Sequence, residues 1–536
     1  MAYQPIIVLS ADSQQTSGRD AQRMNIAAGK AVAEAVRSTL GPRGMDKMLV
    51  DSLGEVVITN DGATILSEMD IEHPTAQMIV EVADSQEEEA GDGTTTAVVL
   101  TGELLLKAEG LLDEDIHPTT IVSGYRLAAK HARGVLDKLA IDVAPTETET
   151  LLKIAKTSMT GKGVGDSHDH LADLAVRTIQ AIEEDGRIDL DNVKIETVST
   201  GSIEDSELIE GVLIDKEPVH ENMPTKVTGA KIALLGTAIE IAETETDAEI
   251  NVSDPSQLQQ FLDAEEQHMK DLVNAVVDSG ANVVFVQKGI DDIAQHYLAK
   301  AGVLAVRRTK KSDLTKLSRA TGAKVVSKIT DISQEDLGSV GLVEQRKIGG
   351  DEMIFVVECD NPKSVSLILR GGTEHVVEEV GRALNDALEV VRVTIQDGKV
   401  LAGGGSPEVE ISLSLRSYAD SVGGREQLAI EAFADAVEAI PRTLAINSGL
   451  DPIDSIVDLR AQHTAGGIHA GLSVIEGGVA DMLAEGVVEP LRVKTQAISS
   501  AQEATDLVLR IDDIIAAGDL SKGPSDGMGD DSFEHV

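Results

Sequence analysis

The sequence is poor in aromatic residues, cysteine and basic residues, and each shortage narrows the possible classes of protein. Tryptophan is absent and only five phenylalanines and four tyrosines occur among 536 residues, so any core must be largely aliphatic. Cys359 is the single cysteine, which excludes an internal disulfide and favours a reducing compartment. Lysine and arginine number 46 against 92 acidic residues, a formal charge of -46. Such a surface repels phosphate backbones and anionic lipids, so neither nucleic acid nor membrane is an expected partner.

The acidic residues are spread along the whole chain instead of forming one patch. This distribution favours a halophilic protein in a salt-rich cytoplasm over a local surface for basic partners, because salt screens the repulsion between like charges. The first eleven residues contain no lysine or arginine, and no apolar run approaches the roughly 18 residues that span a bilayer. We therefore expect a soluble, cytoplasmic protein.

A chain of 536 residues exceeds the size of one hydrophobic core, so about three domains are expected. Both outer thirds have the apolar period of helices, and the middle third differs, which suggests one domain interrupted by another. A hairpin is predicted at Met48–Val50 and Val56–Ile58. The helical period predicts helices over 19–40, 73–112, 119–140, 255–279 and 373–396.

The middle third alternates short apolar strands with helices, which predicts an α/β domain with parallel strands. Ser312 is the expected N-cap of a helix ending near Gly322. Residues 239–278 hold eleven acidic residues and one lysine, and they include the long predicted helix. A projecting element explains so acidic a segment better than a buried one does.

Three glycine loops lie within about 55 residues of one another, each next to a regular element: Gly41–Gly44, Asn60–Thr64 and Gly91–Ala97. In the last loop, glycines precede three threonines at a helix start, where free backbone N–H groups can bind phosphate. Asp92 adds a carboxylate suited to Mg²⁺. The Gly91–Ala97 loop also fits a glycine-bounded loop with a threonine N-cap, Asn60–Thr64 fits an ordinary turn, and no GxxxxGK[ST] motif occurs. Together they predict an anion pocket.

These loops closely resemble the nucleotide-site motifs of group II chaperonins, and among them the archaeal thermosome type. The resemblance runs in order along the chain, through 39–49 (TLGPRGMDKML), 58–66 (ITNDGATIL), 91–100 (GDGTTTAVVL), 243–250 (ETETDAEI), 287–292 (QKGIDD), 400–405 (VLAGGG), 424–429 (GREQLA) and 488–497 (VEPLRVKTQA).

The resemblance implies an α+β multidomain fold. A helix-rich equatorial ATP-binding domain, 1–145 and 404–536, is interrupted by an intermediate hinge domain, 146–215 and 368–403. An α/β apical domain, 216–367, would bind substrate and carry a helical lid protrusion at about 241–272. The implied function is an ATP-dependent chaperone, whose two stacked rings of eight or nine identical or paralogous subunits enclose unfolded polypeptides and close the lid on hydrolysis.

The resemblance also implies the site residues, with ATP and Mg²⁺ as cofactors and K⁺ as an accompanying ion. Asp92 would hold Mg²⁺, Asp61 would lie near the γ-phosphate and its water, and Asp386 would be the hydrolytic acid. The residues implied to contact nucleotide are Gly41, Pro42, Gly93, Thr94, Thr95, Thr96, Gly161, Lys162, Gly404, Gly405 and Glu489.

Two other functions use some of the same features. A small-molecule kinase could use the glycine loops, but no acid or base suggests a second substrate pocket. A ring scaffold without catalysis is the other alternative, and the presence of both Asp61 and Asp386 argues against it.

Overall fold

The computed structural model describes residues 14–241, 255–360 and 362–516. The chain divides into two compact units. The first comprises Met1–Ala140, Ala402–Glu485 and Arg492–Val536, and the second comprises Ile141–Leu401 and Gly486–Leu491. Residues 242–254, the first part of the predicted lid protrusion, lie outside the described ranges.

The helices of the described ranges are α1 Arg19–Arg37, α2 Gly62–Glu68, α3 Pro74–Ala90, α4 Thr94–Asp113, α5 Pro118–Leu139, α6 Thr148–Met159, α7 His168–Ile182, α8 Pro255–Asp278, α9 Asp292–Lys300, α10 Lys311–Thr321, α11 Glu374–Asp397, α12 Ser406–Val422, α13 Gly424–Val437, α14 Ala439–Asn447, α15 Pro452–Thr464, α16 Met482–Glu485 and α17 Leu491–Leu509. Across these ranges, no helix combines the length and apolarity that crossing a membrane requires.

The strands are β1 Gln14–Ser17, β2 Lys47–Val50, β3 Val56–Thr59, β4 Ile141–Asp142, β5 Val193–Val198, β6 Glu207–Ile209, β7 Gly211–Ile214, β8 Lys226–Leu235, β9 Val283–Val286, β10 Leu304–Val306, β11 Val325–Val326, β12 Gly338–Ile348, β13 Asp351–Val357, β14 Val365–Arg370, β15 Lys399–Ala402, β16 Ala470–Ser473, β17 Gly478–Asp481, β18 Val488–Pro490 and β19 Asp513–Ala516.

The first unit is a helical assembly centred on α4, which packs against α1, α3, α13 and α14. Thirteen of the twenty residues of α4 are buried, because its sequence is apolar on nearly every side. The predicted hairpin is confirmed as β2 and β3, and β1 pairs with β19 to join residues near opposite ends of the chain.

The predicted helix over 73–112 is two helices, α3 and α4, separated by the Gly91–Gly93 loop. Gly91 ends α3 in the left-handed conformation, and its N–H donates to Glu87 O over 2.8 Å. Gly93 is also left-handed, at φ 82°, and precedes α4. The two glycines are the local signal for this break, and the helix start predicted at the three threonines is the start of α4.

The second unit contains one hydrophobic core between α6, α7, α11 and the sheet β5-β14-β6. Helix α11 occupies the predicted position and buries the predicted apolar positions, among them Val380 and Leu384. Thr373 caps its start by accepting from Val376 N, and Gly398 ends it at φ 64°.

The second unit also contains a seven-stranded sheet with a hydrophobic core on each face, in the order β10-β9-β8-β12-β13-β7 with β11 beside β8. The predicted parallel strands are confirmed as β8 to β11, and the sheet also contains β7, β12 and β13, which were not predicted and pair antiparallel. Residues 338–357 form two strands joined by a tight turn at Gly349–Gly350, and a turn that short requires antiparallel pairing.

Helices cover both faces of this sheet, with α8 and α9 against one core and α10 against the other. The predicted N-cap Ser312 is wrong by two residues: α10 begins at Lys311, and Lys310 is its N-cap. The end at Gly322 is confirmed, with Gly322 left-handed and its N–H donating to Ser318 O.

Helix α8 has a buried base and an exposed section. Near its carboxyl end, Met269, Val273 and Val276 are buried against the sheet, whereas Leu262 is 50% exposed. Tyr297 on α9 also holds the base, since its hydroxyl donates to Glu266 over 2.5 Å.

Candidate functional site

The Gly91–Gly93 loop brings the start of a 20-residue helix to the predicted anion pocket. Thr94, Thr95 and Thr96 form the first turn of α4 and are largely buried. The N–H groups of a first turn have no partner within the helix, so they are available to an anion. Asp92 lies beside them, with its Oδ1 accepting from Gly93 N over 2.7 Å.

A buried side-chain amide, that of Gln86, holds this loop by a hydrogen bond to its backbone. The Gln86 Nε2 group donates to Asp92 O over 2.7 Å and to Val493 O over 3.1 Å. Gln86 is completely buried. Sequence reasoning missed it because three glutamates follow it, a composition typical of an exposed helix end, and because its partner Val493 is hundreds of residues away.

The second glycine loop contacts the first. A Cβ at Gly62 would lie 2.6 Å from Thr95 Oγ1 and 3.1 Å from Thr94 Oγ1, so the two loops touch directly. Asp61 caps α2, with its Oδ2 accepting from Thr64 N over 2.7 Å. That cap fixes the carboxylate at the start of α2, beside the threonines of α4.

The Gly41–Gly44 loop closes the turn after α1. Gly44 N donates to Gly41 O over 2.9 Å, and Gly41 is left-handed at φ 86°. Asn447 holds the residues before the loop, because its Nδ2 donates to Leu40 O over 2.9 Å and to Arg37 O over 3.1 Å. Pro42 follows Gly41 within this anchored turn.

The Gly403–Gly405 loop directly precedes the start of a second helix of the first unit, α12. Gly404 and Gly405 have φ values of 65° and 78°, and α12 begins directly after them. Leu472 N donates to Gly404 O over 2.8 Å, which holds the loop against β16.

The side chains of the first unit suit a Mg²⁺ ion that is bound mainly by phosphate and water oxygens. Within the described ranges, no group of three or more histidine, cysteine, aspartate or glutamate side chains could hold a metal ion. Mg²⁺ in nucleotide sites is bound through one or two carboxylates, with phosphate and water oxygens completing the octahedron. Asp92, at a helix start suited to phosphate, supplies one such carboxylate.

The remaining predicted residues, Gly161, Lys162, Asp386 and Glu489, belong to the second unit. Lys162 lies on the loop after α6 and forms an ion pair with Asp386 on α11. Both side chains are mostly buried, at 15% and 13% exposure. Asp386 thus has a basic partner from another element, whereas Glu379 and Glu389 pair with Arg382 and Arg392 of α11 itself. Glu489 is the middle residue of β18.

Comparison with known proteins places this geometry in a family. Residues 32–519 match the TCP-1/cpn60 chaperonin family. Thermosome subunit alpha of Halobacterium salinarum is 64% identical over 531 residues, which cover 99% of this chain and 94% of that protein. Thermosome subunit 1 of Haloferax volcanii is 62% identical over 528 residues, with 98% and 94% coverage.

A solved structure is similar as well. The open-state monomer of a group II chaperonin from Methanococcoides burtonii has a TM-score of 0.59 and 49% identity, and the match covers 78% of this chain and 100% of that one. The fold is thus that of a group II chaperonin subunit. The chain belongs to the TCP-1/cpn60 chaperonin family, and its relatives from two haloarchaea are thermosome subunits.

Proposed function

We propose that this chain is an ATP-hydrolysing subunit of a double-ring chaperone that encloses unfolded polypeptides. The observation that carries the proposal is the contact between two glycine loops of the first unit, Gly62 against Thr95, beside the carboxylate Asp92. This contact brings together a helix start suited to phosphate, a carboxylate suited to Mg²⁺ and the capped Asp61.

Each loop has a role in the proposed site. The backbone N–H groups of the first turn of α4 bind phosphate oxygens. The loop after α1, which contains Gly41 and Pro42, contacts the nucleotide as well. Gly93 allows close approach of the backbone to the phosphates. Bound Mg²⁺ would neutralise phosphate charge. Asp61 orients the attacking water, while its cap to Thr64 keeps the carboxylate in place.

The first unit also supplies the ribose side of the proposed site. Gly404 and Gly405 form it at the start of α12, and Glu489, a residue of the second unit, is proposed to contact the ribose or adenine.

Asp386 is the proposed hydrolytic acid, with Lys162 as its partner. A carboxylate that accepts a proton from water must be held in a fixed direction, and the mostly buried Lys162 ammonium holds it so. Gly161 and Lys162 lie on the same loop, and both are proposed to contact nucleotide. Because Lys162 is paired with Asp386, a phosphate that attracts the Lys162 ammonium also changes the surroundings of Asp386. The pair thereby links nucleotide state to the hydrolytic group.

The division into three domains remains part of the proposal, with equatorial 1–145 and 404–536, intermediate 146–215 and 368–403, and apical 216–367. The hydrophobic clusters of the second unit support it: one lies around α6, α7 and α11, one lies on each face of the seven-stranded sheet, and a smaller one joins the two sheets. The apical part carries the proposed lid at about 241–272. Its helix α8 has a buried base and an exposed Leu262, as expected of an element that gains a partner on closure.

Two variants test the catalytic assignment. Asp386→Ala should leave Mg-ATP binding within a few-fold and lower the hydrolysis rate by orders of magnitude, because it removes a group needed only in the chemical step. Asp92→Ala should instead weaken Mg-ATP binding itself. Matched controls are Glu378→Ala on α11 and Asp84→Ala on α3, two exposed carboxylates that should change neither quantity.

Normal hydrolysis by Asp386→Ala would contradict the assignment of the acid. Light scattering in about 2 M KCl tests assembly, since sixteen copies of the 56.5 kDa chain weigh about 900 kDa. A monomer or dimer under those conditions would contradict the ring. Dilution to low salt should dissociate it, because like charges are then unscreened.

A further inference from the structure

Three helices of the first unit begin directly after segments of the proposed nucleotide site. Helix α4 follows the Gly91–Gly93 loop, α12 follows Gly403–Gly405, and α17 follows the strand that contains Glu489. Their first turns meet around one small cavity of about 10 Å³, lined by Thr96 of α4, Glu408 of α12 and Lys494 of α17. A cavity of that volume has room for about one water molecule.

Glu408 and Lys494 form an ion pair at this meeting point. Lys494 Nζ lies 2.9 Å from Glu408 Oε1, and the two side chains are each 7% exposed. The rest of the lining is aliphatic apart from Thr96, and Glu408 Oε2 has no hydrogen-bond partner among the described residues. Two charges placed in such surroundings cost free energy of desolvation, which apolar side chains of similar size would avoid.

An ion pair restrains the distance between two helices more strongly than an apolar contact does. In a medium of low polarity, the energy of two opposite charges rises steeply as they separate, so α12 and α17 are held at one spacing. The first turn of α17 is held a second time, because Val493 O accepts from Gln86, whose amide also donates to Asp92 O. One turn of α17 therefore connects the loop of Asp92 with the helix behind Gly404 and Gly405.

We propose that Glu408 and Lys494 are positioning residues of the nucleotide site, a buried pair that fixes the phosphate loop and the ribose loop relative to each other. The inference rests on the proposed ATP site. Neither side chain needs to touch nucleotide, because both act through the helices that carry the loops.

Isosteric single variants are the first test. Glu408→Gln and Lys494→Met should each weaken Mg-ATP and Mg-ADP binding about ten- to a hundredfold, the usual effect of losing a supporting contact. They should also lower the thermal unfolding midpoint, because a buried charge loses the opposite charge that lies 2.9 Å from it. Asp506→Asn is the matched control: Asp506 is a buried carboxylate on the same helix, accepts from Arg126 Nε over 2.7 Å, and lies away from the loops. It should leave both affinities unchanged.

A double variant separates positioning from mere stability. Glu408→Leu combined with Lys494→Met removes both charges and keeps the volume, so the unfolding midpoint should return to that of the unchanged chain. Nucleotide affinity should stay low, because an apolar contact does not fix the spacing of the helices. Should a single variant fail to fold, this double variant still tests the proposal.

Wild-type affinity in the double variant, or in both single variants, would overturn the positioning role while leaving the ATP site intact. If the unchanged chain bound no Mg-ATP, the proposed function would fail instead, and the positioning role with it. Isothermal titration in about 2 M KCl, the salt concentration proposed for assembly, distinguishes these outcomes.

Discussion

Replacing Gly405 by alanine tests whether the loop before α12 requires a residue without a Cβ at this position. Gly405 has a φ of +78°, and a Cβ there would lie 2.7 Å from Pro441 Cβ and 3.1 Å from Pro441 Cα. The proline ring and backbone cannot rotate away, so the loop or α14 must move. Gly449 is a matched control in the same unit, with a φ of +76° and nothing within 4 Å of an added Cβ.

Both substitutions place an alanine in the left-handed conformation, but only Gly405→Ala also overpacks the loop against Pro441. A left-handed alanine costs about 1–2 kcal/mol relative to glycine at either position. Overpacking against Pro441 adds about 1–3 kcal/mol at Gly405 alone. We therefore expect Gly405→Ala to lose roughly 2–5 kcal/mol and Gly449→Ala to lose about 1–2 kcal/mol.

Thermal unfolding at one protein and salt concentration measures the difference between the variants, because assembly makes the midpoint depend on concentration. Titration with Mg-ATP should show about tenfold or greater weakening in Gly405→Ala, because the displaced loop carries Gly404. Gly449→Ala should bind nucleotide normally. Equal losses of stability in the two variants would refute the packing argument, and normal binding by Gly405→Ala would remove this loop from the nucleotide site.

Two further predictions concern the second unit. Burial, and to a smaller extent the neighbouring Asp360 carboxylate, raises the pKa of the Cys359 thiol to about 11, so less thiolate is present at any pH below that value. Iodoacetamide at pH 8 should alkylate the folded chain about a hundredfold more slowly than the urea-unfolded chain, with the folded rate rising up to pH 11; equal rates would contradict the burial. For the lid, replacing 242–264 by a short glycine-serine linker preserves Met269 and the Tyr297–Glu266 contact. Ring assembly and ATP hydrolysis should persist while protection of a denatured client from protease is lost, and full protection would show that the segment is not a lid.

Local pattern predicted the long elements well. The apolar period located α11 and α8, and proline at the first helical position marked the start of α8 at Pro255. The hairpin β2–β3 followed from two short apolar runs around Gly54. The N-cap prediction at Ser312 failed because α10 begins at Lys311, after Lys310, which makes no side-chain capping hydrogen bond.

Features that depend on distant partners could not be predicted from spacing. Lys494 stands within the motif 488–497 as one solvated-looking lysine, and only the fold shows Glu408, 86 positions earlier, as its partner. Asp386 was likewise indistinguishable from Glu378 until Lys162 appeared beside it. Antiparallel pairing of β12 and β13 depends on a tight turn whose glycines resemble those of any loop. In each case the missing information is a contact between elements, which no local period contains.

The division of the chain also sets an order of events on the ribosome. Residues 141–401 are continuous and hold nearly the whole second unit, so that unit has its sequence available before synthesis ends. The first unit must wait, because α4 packs against α13 and α14, which emerge more than 300 residues later. Until then the apolar sides of α4 lack their cover, and β1 lacks β19, the last described strand to be made. A nascent subunit of a chaperone thus carries its own exposed aliphatic surface for most of its synthesis and is itself a client for protection during that time.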